Sequence, residues 1–209
     1  MPGDFALTNL TNHFLIAMPG LQDEVFSRSV VYVCEHSSRG ALGLVINKPA
    51  DIDLKRLFEK VELPLRREDL SDAPVFQGGP VQTERGFVLH EPIFALADKP
   101  AESVYASTMT IPGGLEMTTS KDVLEALSTG AGPRKVLVTL GYAAWGEGQL
   151  ESELSVNSWL PSPSTSRTRA FGHRAWASVR RVALKLYGSE LKSSSSISPS
   201  QGSSPVKAG

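Results

Sequence analysis

Cys34 and His36 lie two residues apart in the run Ser29-Val30-Val31-Tyr32-Val33-Cys34-Glu35-His36. On a regular strand that spacing puts both side chains on one face. An imidazole beside a thiol lowers the thiol pKa and favours the thiolate, the form that serves a redox sensor or an acyl-transfer nucleophile. Cys34 is also the single cysteine of the chain. It therefore has no intrachain partner to resolve an oxidised thiol, and intrachain disulfides and multi-cysteine metal sites are excluded. The plainer reading of a lone cysteine in an apolar strand is an inert core residue.

Two further groups could bind rather than react. Gly78-Gly79-Pro80 can aim backbone amides at an anion, with Arg85 opposite. The structural alternative is a sharp turn that needs glycine for its permissive backbone, and no phosphate-loop or dinucleotide fingerprint surrounds the pair. Trp145, Gln149, Glu151 and Glu153 cluster about a helix start. They read either as the rim of a pocket, with Trp145 as platform and Gln149 and Glu151 as hydrogen-bonding groups, or as acids set against a helix dipole. Asn47 completes the candidate ligand-binding residues. His13, His36, His90 and His173 show no metal-ligand spacing, and neither a Gly-x-Ser-x-Gly elbow nor an acid/base pair is evident. No cofactor or metal is expected, and the chain leans away from enzymes.

These residues need elements to hold them. Ser29–Cys34 and Ala41–Ile46 are apolar and β-branched, and their short link suits a hairpin. Pro49 stops the second strand, since it has no amide hydrogen for a ladder. From Asp53 to Leu63, Leu54, Leu57, Phe58 and Val61 recur at helical spacing until Pro64. Pro74–Gln77, Arg85–His90 and Lys135–Leu140 read as strands, and Ser107–Met117 as two short strands around Pro112-Gly113-Gly114. Asp122 to Gly130 and Gly148 to Leu154 read as helices. Several strands with hairpin-length links and few helices predict an α+β fold: a mostly antiparallel, barrel-like sheet flanked by helices.

Charge divides the chain. Residues 1–159 carry 13 Lys/Arg against 21 Asp/Glu, whereas residues 160–209 carry eight basic residues, one acid and 13 serines. The start of the chain has no basic segment leading into an apolar core, and no apolar run is long enough to cross a bilayer. The expectation is a cytoplasmic domain over 1–160, with no membrane partner, followed by a largely disordered tail over 161–209. The tail's basic stretch around Trp176 could meet nucleic acid, yet the acidic body offers no groove-reading motif, which argues against that partner. The expected partner is a small ligand or a protein.

Several ordered blocks resemble one family. Phe14-Leu15-Ile16-Ala17-Met18-Pro19, Asp23 and Phe26 precede the Ser29–His36 run. Then come Gly40-Ala41-Leu42-Gly43-Leu44-Val45-Ile46-Asn47-Lys48-Pro49, Gly78-Gly79-Pro80-Val81 with Arg85-Gly86-Phe87, and Gly141-Tyr142-Ala143-Ala144-Trp145 with Gly148-Gln149-Leu150-Glu151. Together they resemble the bacterial AlgH/YqgE proteins over roughly residues 10–160. Ala144 departs from the family's usual glycine. The resemblance implies a compact domain built on a barrel-like sheet flanked by helices, and the family's name comes from a proposed part in alginate regulation. The lack of a catalytic constellation, beside turns and polar groups suited to binding, favours a non-enzymatic regulatory or binding module. The resemblance supplies no agreed catalytic residues, so a thiol-dependent sensor or enzyme using Cys34 stands as the alternative.

The resemblance stops after Trp159-Leu160, where the family continues with a polar loop and a final amphipathic helix. Some codons allowed for Ala170-Phe171-Gly172-His173-Arg174, read one base later, encode Leu-Leu-Asp-Thr-Ala, and some for Ser178–Leu184 encode Arg-Tyr-Asp-Ala-Ser-Leu. Both strings are family-like and in the expected order. The expectation is a reading-frame shift near residue 160. The nucleotide sequence tests it: the next frame should encode a family-type end, and a frame without one contradicts the shift.

Overall fold

The computed structural model describes residues 9–93 and 104–164. The expected tail, its frameshift and its basic stretch around Trp176 lie outside those residues, apart from the first few positions after Leu160. Among the described residues there are ten strands and three α-helices. The strands are β1 (His13–Ala17), β2 (Val30–Ser37), β3 (Gly40–Val45), β4 (Pro49–Asp53), β5 (Pro74–Gln77), β6 (Val81–His90), β7 (Thr108–Ile111), β8 (Leu115–Thr118), β9 (Val136–Trp145) and β10 (Trp159–Pro163). The helices are α1 (Leu54–Lys60), α2 (Asp122–Thr129) and α3 (Gln149–Ser155).

The strand order is β10-β1-β2-β3-β9-β6-β8-β7, with β5 also on β9 and β4 on β5. The sheet is mostly antiparallel and curls into a half-barrel, as the α+β expectation held. One pair departs from it: β5 runs parallel to β9, with Val75, Phe76 and Gln77 opposite Val138, Thr139 and Leu140.

The continuous apolar runs follow from burial of both sheet faces. Phe14, Tyr32, Leu44, Phe76, Phe87 and Leu137 fill one core on the inner face. Their neighbours Leu15, Val31, Val33 and Val45 point the other way, into a second core with Leu150 and Leu154 of α3. Farther along, Val75, Val88 and Val138 meet Phe58 of α1 and Val123 and Leu127 of α2 in a third. Each fully buried aliphatic side chain contributes roughly 1.5–3 kcal/mol. β10 ends the sheet beside β1, and Pro161 and Pro163 leave it fewer amides to offer a further strand. It also carries the pairing past Leu160 to Pro163.

Helix ends follow local chemistry. Asp53 accepts the Arg56 amide at 2.8 Å and starts α1. Gly130, in the left-handed conformation at φ +83°, ends α2. Two elements run beyond their sequence signals. β4 forms at Pro49–Asp53, where Pro49 lies opposite Phe76. β9 continues past Leu140 through Gly141 to Trp145, and this extension lets one strand serve both halves of the sheet. Residues 136–140 pair with β5 and β6, and residues 143–145 with β3.

That changeover requires close backbone contact. A Cβ on Gly78 would lie 2.2 Å from the Gly141 carbonyl oxygen, and one on Gly79 would lie 2.2–2.4 Å from the Tyr142–Ala143 backbone. A Cβ on Gly141, whose φ is +73°, would come within 2.5 Å of the Gly79 oxygen. Gly78 donates to Leu140 O and accepts from Val45 N, both at 2.8 Å, so it is stitched between β9 and β3. Gly86, by contrast, has nothing within 4 Å of a built Cβ. Gly79→Ala should therefore cost more than about 3 kcal/mol of unfolding free energy, through backbone clash and strain. Gly86→Ala should change it by less than about 1 kcal/mol. Equilibrium denaturation of the two variants measures this, and equal effects would contradict the packing assigned to Gly79.

Candidate functional site

The structure separates Cys34 from His36. The β2–β3 register shifts between Val33 and Glu35, and Cys34 is the extra residue of a β-bulge. The bulge reverses the alternation. Cys34 packs with Tyr32 in the inner core, while His36 sits opposite Ala41 on the face of Val31 and Val33. The expectation that the two share a face is corrected accordingly. Cys34 is 1% exposed and burial pushes its thiol pKa far above the usual range. Its sulfur lies 3.7 Å from the Tyr32 carbonyl oxygen. His36 accepts the Leu10 amide at Nδ1 (3.0 Å) and meets Glu151 Oε1 at Nε2 (2.9 Å). It thereby ties β2 to α3, with Glu151 as its partner.

Trp145 is 5% exposed and is one of the residues lining a cavity of about 330 Å³ beside the β2–β3 turn. Its indole donates to Glu153 Oε2 at 2.9 Å, and Trp159 donates to the same oxygen at 2.7 Å. Gln149 accepts the Gly146 amide and donates to Glu153 Oε1, both at 3.0 Å. Glu153 is the centre of this cluster. Phe26 closes it, stacked 6.1 Å from Trp145 and edge-on to Trp159 at 5.8 Å.

Phe26 belongs to the loop between β1 and β2, and this loop is pinned twice. Asp23 Oδ1 accepts the Val25 and Phe26 amides at 2.8 and 2.7 Å, which fixes the turn that delivers Phe26 to the tryptophans. Asn47, 3% exposed, holds the other end. Its Oδ1 accepts Val30 N at 2.7 Å and its Nδ2 donates to Arg28 O at 2.9 Å. Arg28 is thereby kept at φ +59°, a left-handed conformation that costs a long side chain on the order of 1 kcal/mol.

The pinned loop forms one wall of a cleft of about 990 Å³. Leu21, Gln22, Ser27 and Arg28 come from the loop, and Ala17 to Pro19 from the end of β1. Lys48 and Pro49 lead out of β3, and Gln77 ends β5. The last two segments are joined directly, since Gln77 N donates to Lys48 O at 2.8 Å. Lys48 Nζ reaches back to the Val25 carbonyl oxygen. Among the described residues, the ten that line the cleft include two cations and no carboxylate.

Sequence reasoning found Asn47 but missed Arg28, Lys48 and Gln77, which converge only in the fold. The anticipated residues fall in separate places. Asn47, Gly78 and Gly79 lie beside or beneath this cleft, whereas Trp145, Gln149 and Glu151 gather about α3. Arg85 turns to Thr119 Oγ1 at 2.9 Å, and the Gly78 amide is spent on Leu140. A third polar group is buried by β6 and β8: His90 bonds Thr118 Oγ1 at 2.9 Å and lies 3.9 Å from Glu116. Burial lowers the His90 pKa and raises that of Glu116. Among the described residues no group of three metal-ligating side chains is assembled, and no helix is long and apolar enough to cross a membrane.

A half-barrel of mostly antiparallel strands, backed by three helices and opening in a polar cleft at one end, is a small α+β domain. The chain belongs to the AlgH-like family, whose profile matches residues 14–190. A UPF0301 protein of Albidiferax ferrireducens is 88% identical over 160 residues, 77% of this chain and 80% of that one. A UPF0301 protein of Variovorax paradoxus is 80% identical over the same shares. The solution structure of the AlgH protein from Pseudomonas aeruginosa is 38% identical with a TM-score of 0.62, covering 93% of this chain and 97% of that one. A Corynebacterium diphtheriae protein, 20% identical with a TM-score of 0.56 over 85% and 90% of the two chains, shares the fold.

Burial predicts the behaviour of Cys34. Iodoacetamide should alkylate it only in step with unfolding across added denaturant. Rapid modification of the native protein that rises with pH through neutrality would contradict the placement.

Proposed function

We propose that this protein is a non-enzymatic regulatory module of the cytoplasm that binds a small ligand or a partner in the cleft between the 17–28 segment, Lys48-Pro49 and Gln77. The proposal takes residues 1–160 as the working domain and 161–209 as an atypical tail. The observation that carries it is the double pinning of the Arg28 loop. Asn47 and the Phe26–Trp145–Trp159 cluster hold a cleft wall in a backbone conformation that local sequence alone disfavours. Strain of that kind is sustained where surrounding contacts over-determine it, and binding sites are a common place for it. The buried thiol and the separation of Cys34 from His36 lend the thiol reading no support. Regulation would then run through occupancy of the cleft, by shifting the stability of the loop that forms it.

A thermal-shift screen of a metabolite library on the full chain tests this, because a ligand that binds only the folded state raises Tm. Gln77→Trp should fill the cleft and abolish the shift of every true ligand. Glu84→Trp, on an exposed stretch of β6 outside the cleft, should leave it unchanged. A library with no hits sensitive to Gln77→Trp would overturn the proposal.

A further inference from the structure

We infer that His36 is an acid-operated latch: uptake of one proton at Nδ1 breaks its bond to the Leu10 amide and frees Leu10 from its place against α3. The tautomer carries the argument. The Leu10 amide donates to Nδ1 at 3.0 Å, and a backbone N–H can only donate, so Nδ1 holds a lone pair. The hydrogen of the neutral ring is therefore on Nε2, where it donates to Glu151 Oε1 at 2.9 Å. A protonated ring carries hydrogens on both nitrogens. It would keep the bond to Glu151 but set an N–H against the Leu10 N–H.

That conflict falls on a backbone group with no substitute. The bond is buried, and the Leu10 amide makes no other hydrogen bond among the described residues. A buried amide that loses its acceptor is relieved only by moving to water. Leu10 is itself 4% exposed and packs in the second core with Leu150 and Leu154 of α3. The residues after it are held independently. Thr11 Oγ1 accepts the His36 amide at 2.9 Å, and Asn12 N donates to Val33 O at 2.9 Å. Release therefore stops at Thr11.

The charges around the ring set the opposing pull. Glu151 is in contact with it, and Glu151 Oε2 is buried with no hydrogen-bond partner among the described residues. Glu153, on the same helix, spends its oxygens on Trp145, Trp159 and Gln149. Glu35 beside His36 in β2, Arg39 in the β2–β3 turn and Glu147 before α3 are exposed. His13, at the head of β1, turns its ring to Thr11 O at 3.0 Å. The strands β3, β9 and β10 carry no charged residue. The Leu10 bond thus favours the neutral ring and the Glu151 carboxylate favours the imidazolium. The latch is closed while the ring is neutral and opens as the pH falls.

The test is NMR of the full chain across the histidine titration range. At alkaline pH the ring nitrogen shifts of His36 should place the hydrogen on Nε2. The protection factor of the Leu10 amide, corrected for the intrinsic pH dependence of exchange, should fall at least tenfold as the His36 ring titrates, while Asn12 keeps its protection. His36→Gln offers Leu10 an acceptor and nothing to titrate, so its Leu10 protection should not change with pH. Glu151→Gln keeps the Nε2 bond and removes the charge, so the ring transition and the release of Leu10 should move together to lower pH. Three results would each overturn the inference: an Nδ1–H ring at alkaline pH, Leu10 protection unchanged while the ring titrates, or the same pH-dependent loss in His36→Gln. A ring that stays neutral while Glu151 takes the proton, read from the carboxyl carbon shift, would overturn it as well.

Discussion

The structure depends on one place where two backbones pass without side chains between them. Gly78 and Gly79 cross β9 at Gly141, and a Cβ at any of the three would fall within 2.5 Å of a backbone atom of the other segment. The crossing lets β9 leave its partners β5 and β6 and continue beside β3 as a single strand. Without it the two halves of the sheet would need separate central strands, and the inner core would lose its common wall. Glycine serves here by removing volume, and at Gly79 and Gly141 also by accepting a positive φ.

The cleft inherits its shape from that crossing. Gly78 is bonded to both Val45 and Leu140, so the chain segments on either side of it, Ile46–Pro49 and Pro74–Gln77, are drawn together. The Gln77–Lys48 bond then sets the distance between two cleft walls. Asn47 lies directly in this path. Its amide side chain passes the position of β3's end to the Arg28 loop through two bonds at 2.7 and 2.9 Å. From the other side, Glu153 orders two indoles against which Phe26 packs. Most of the polar residues that drew attention in the sequence are therefore positioning groups, and the residues that face the cleft are the ones they position.

Much of this was legible in the chain itself, and the failures have physical causes. Dense apolar runs such as Val30–Cys34 and Leu137–Leu140 marked strands buried on both faces, and the Leu54/Leu57/Phe58 spacing marked α1. The Cys34–His36 pairing misled because a bulge leaves no local signature in an apolar run: the register slip is decided by the partner strand, where Gly43 and Leu42 face Val33 and Glu35. β9 looked complete at Leu140 because glycine usually ends a strand, and only the crossing partner explains its continuation. Trp145, Gln149 and the glutamates fit a pocket rim and a helix-dipole role equally well in sequence, since amphipathic residues near a helix start suit either. What covers Trp145 is Phe26, more than a hundred residues earlier in the chain. The cleft cations were invisible for the same reason. Arg28, Lys48 and Gln77 come from three segments with no common motif, although the Asn47-Lys48-Pro49 block pointed to the right region.

The central claim is that Asn47 acts by positioning the Arg28 loop rather than by touching a ligand. Amide hydrogen exchange of Asn47→Ala tests it most directly. The account predicts that exchange accelerates at Val30 and through residues 18–29, while the amides of β6 and of the Val136–Leu140 half of β9 keep their protection. Unchanged exchange in the loop, or an equal loss of protection across the whole sheet, would contradict it.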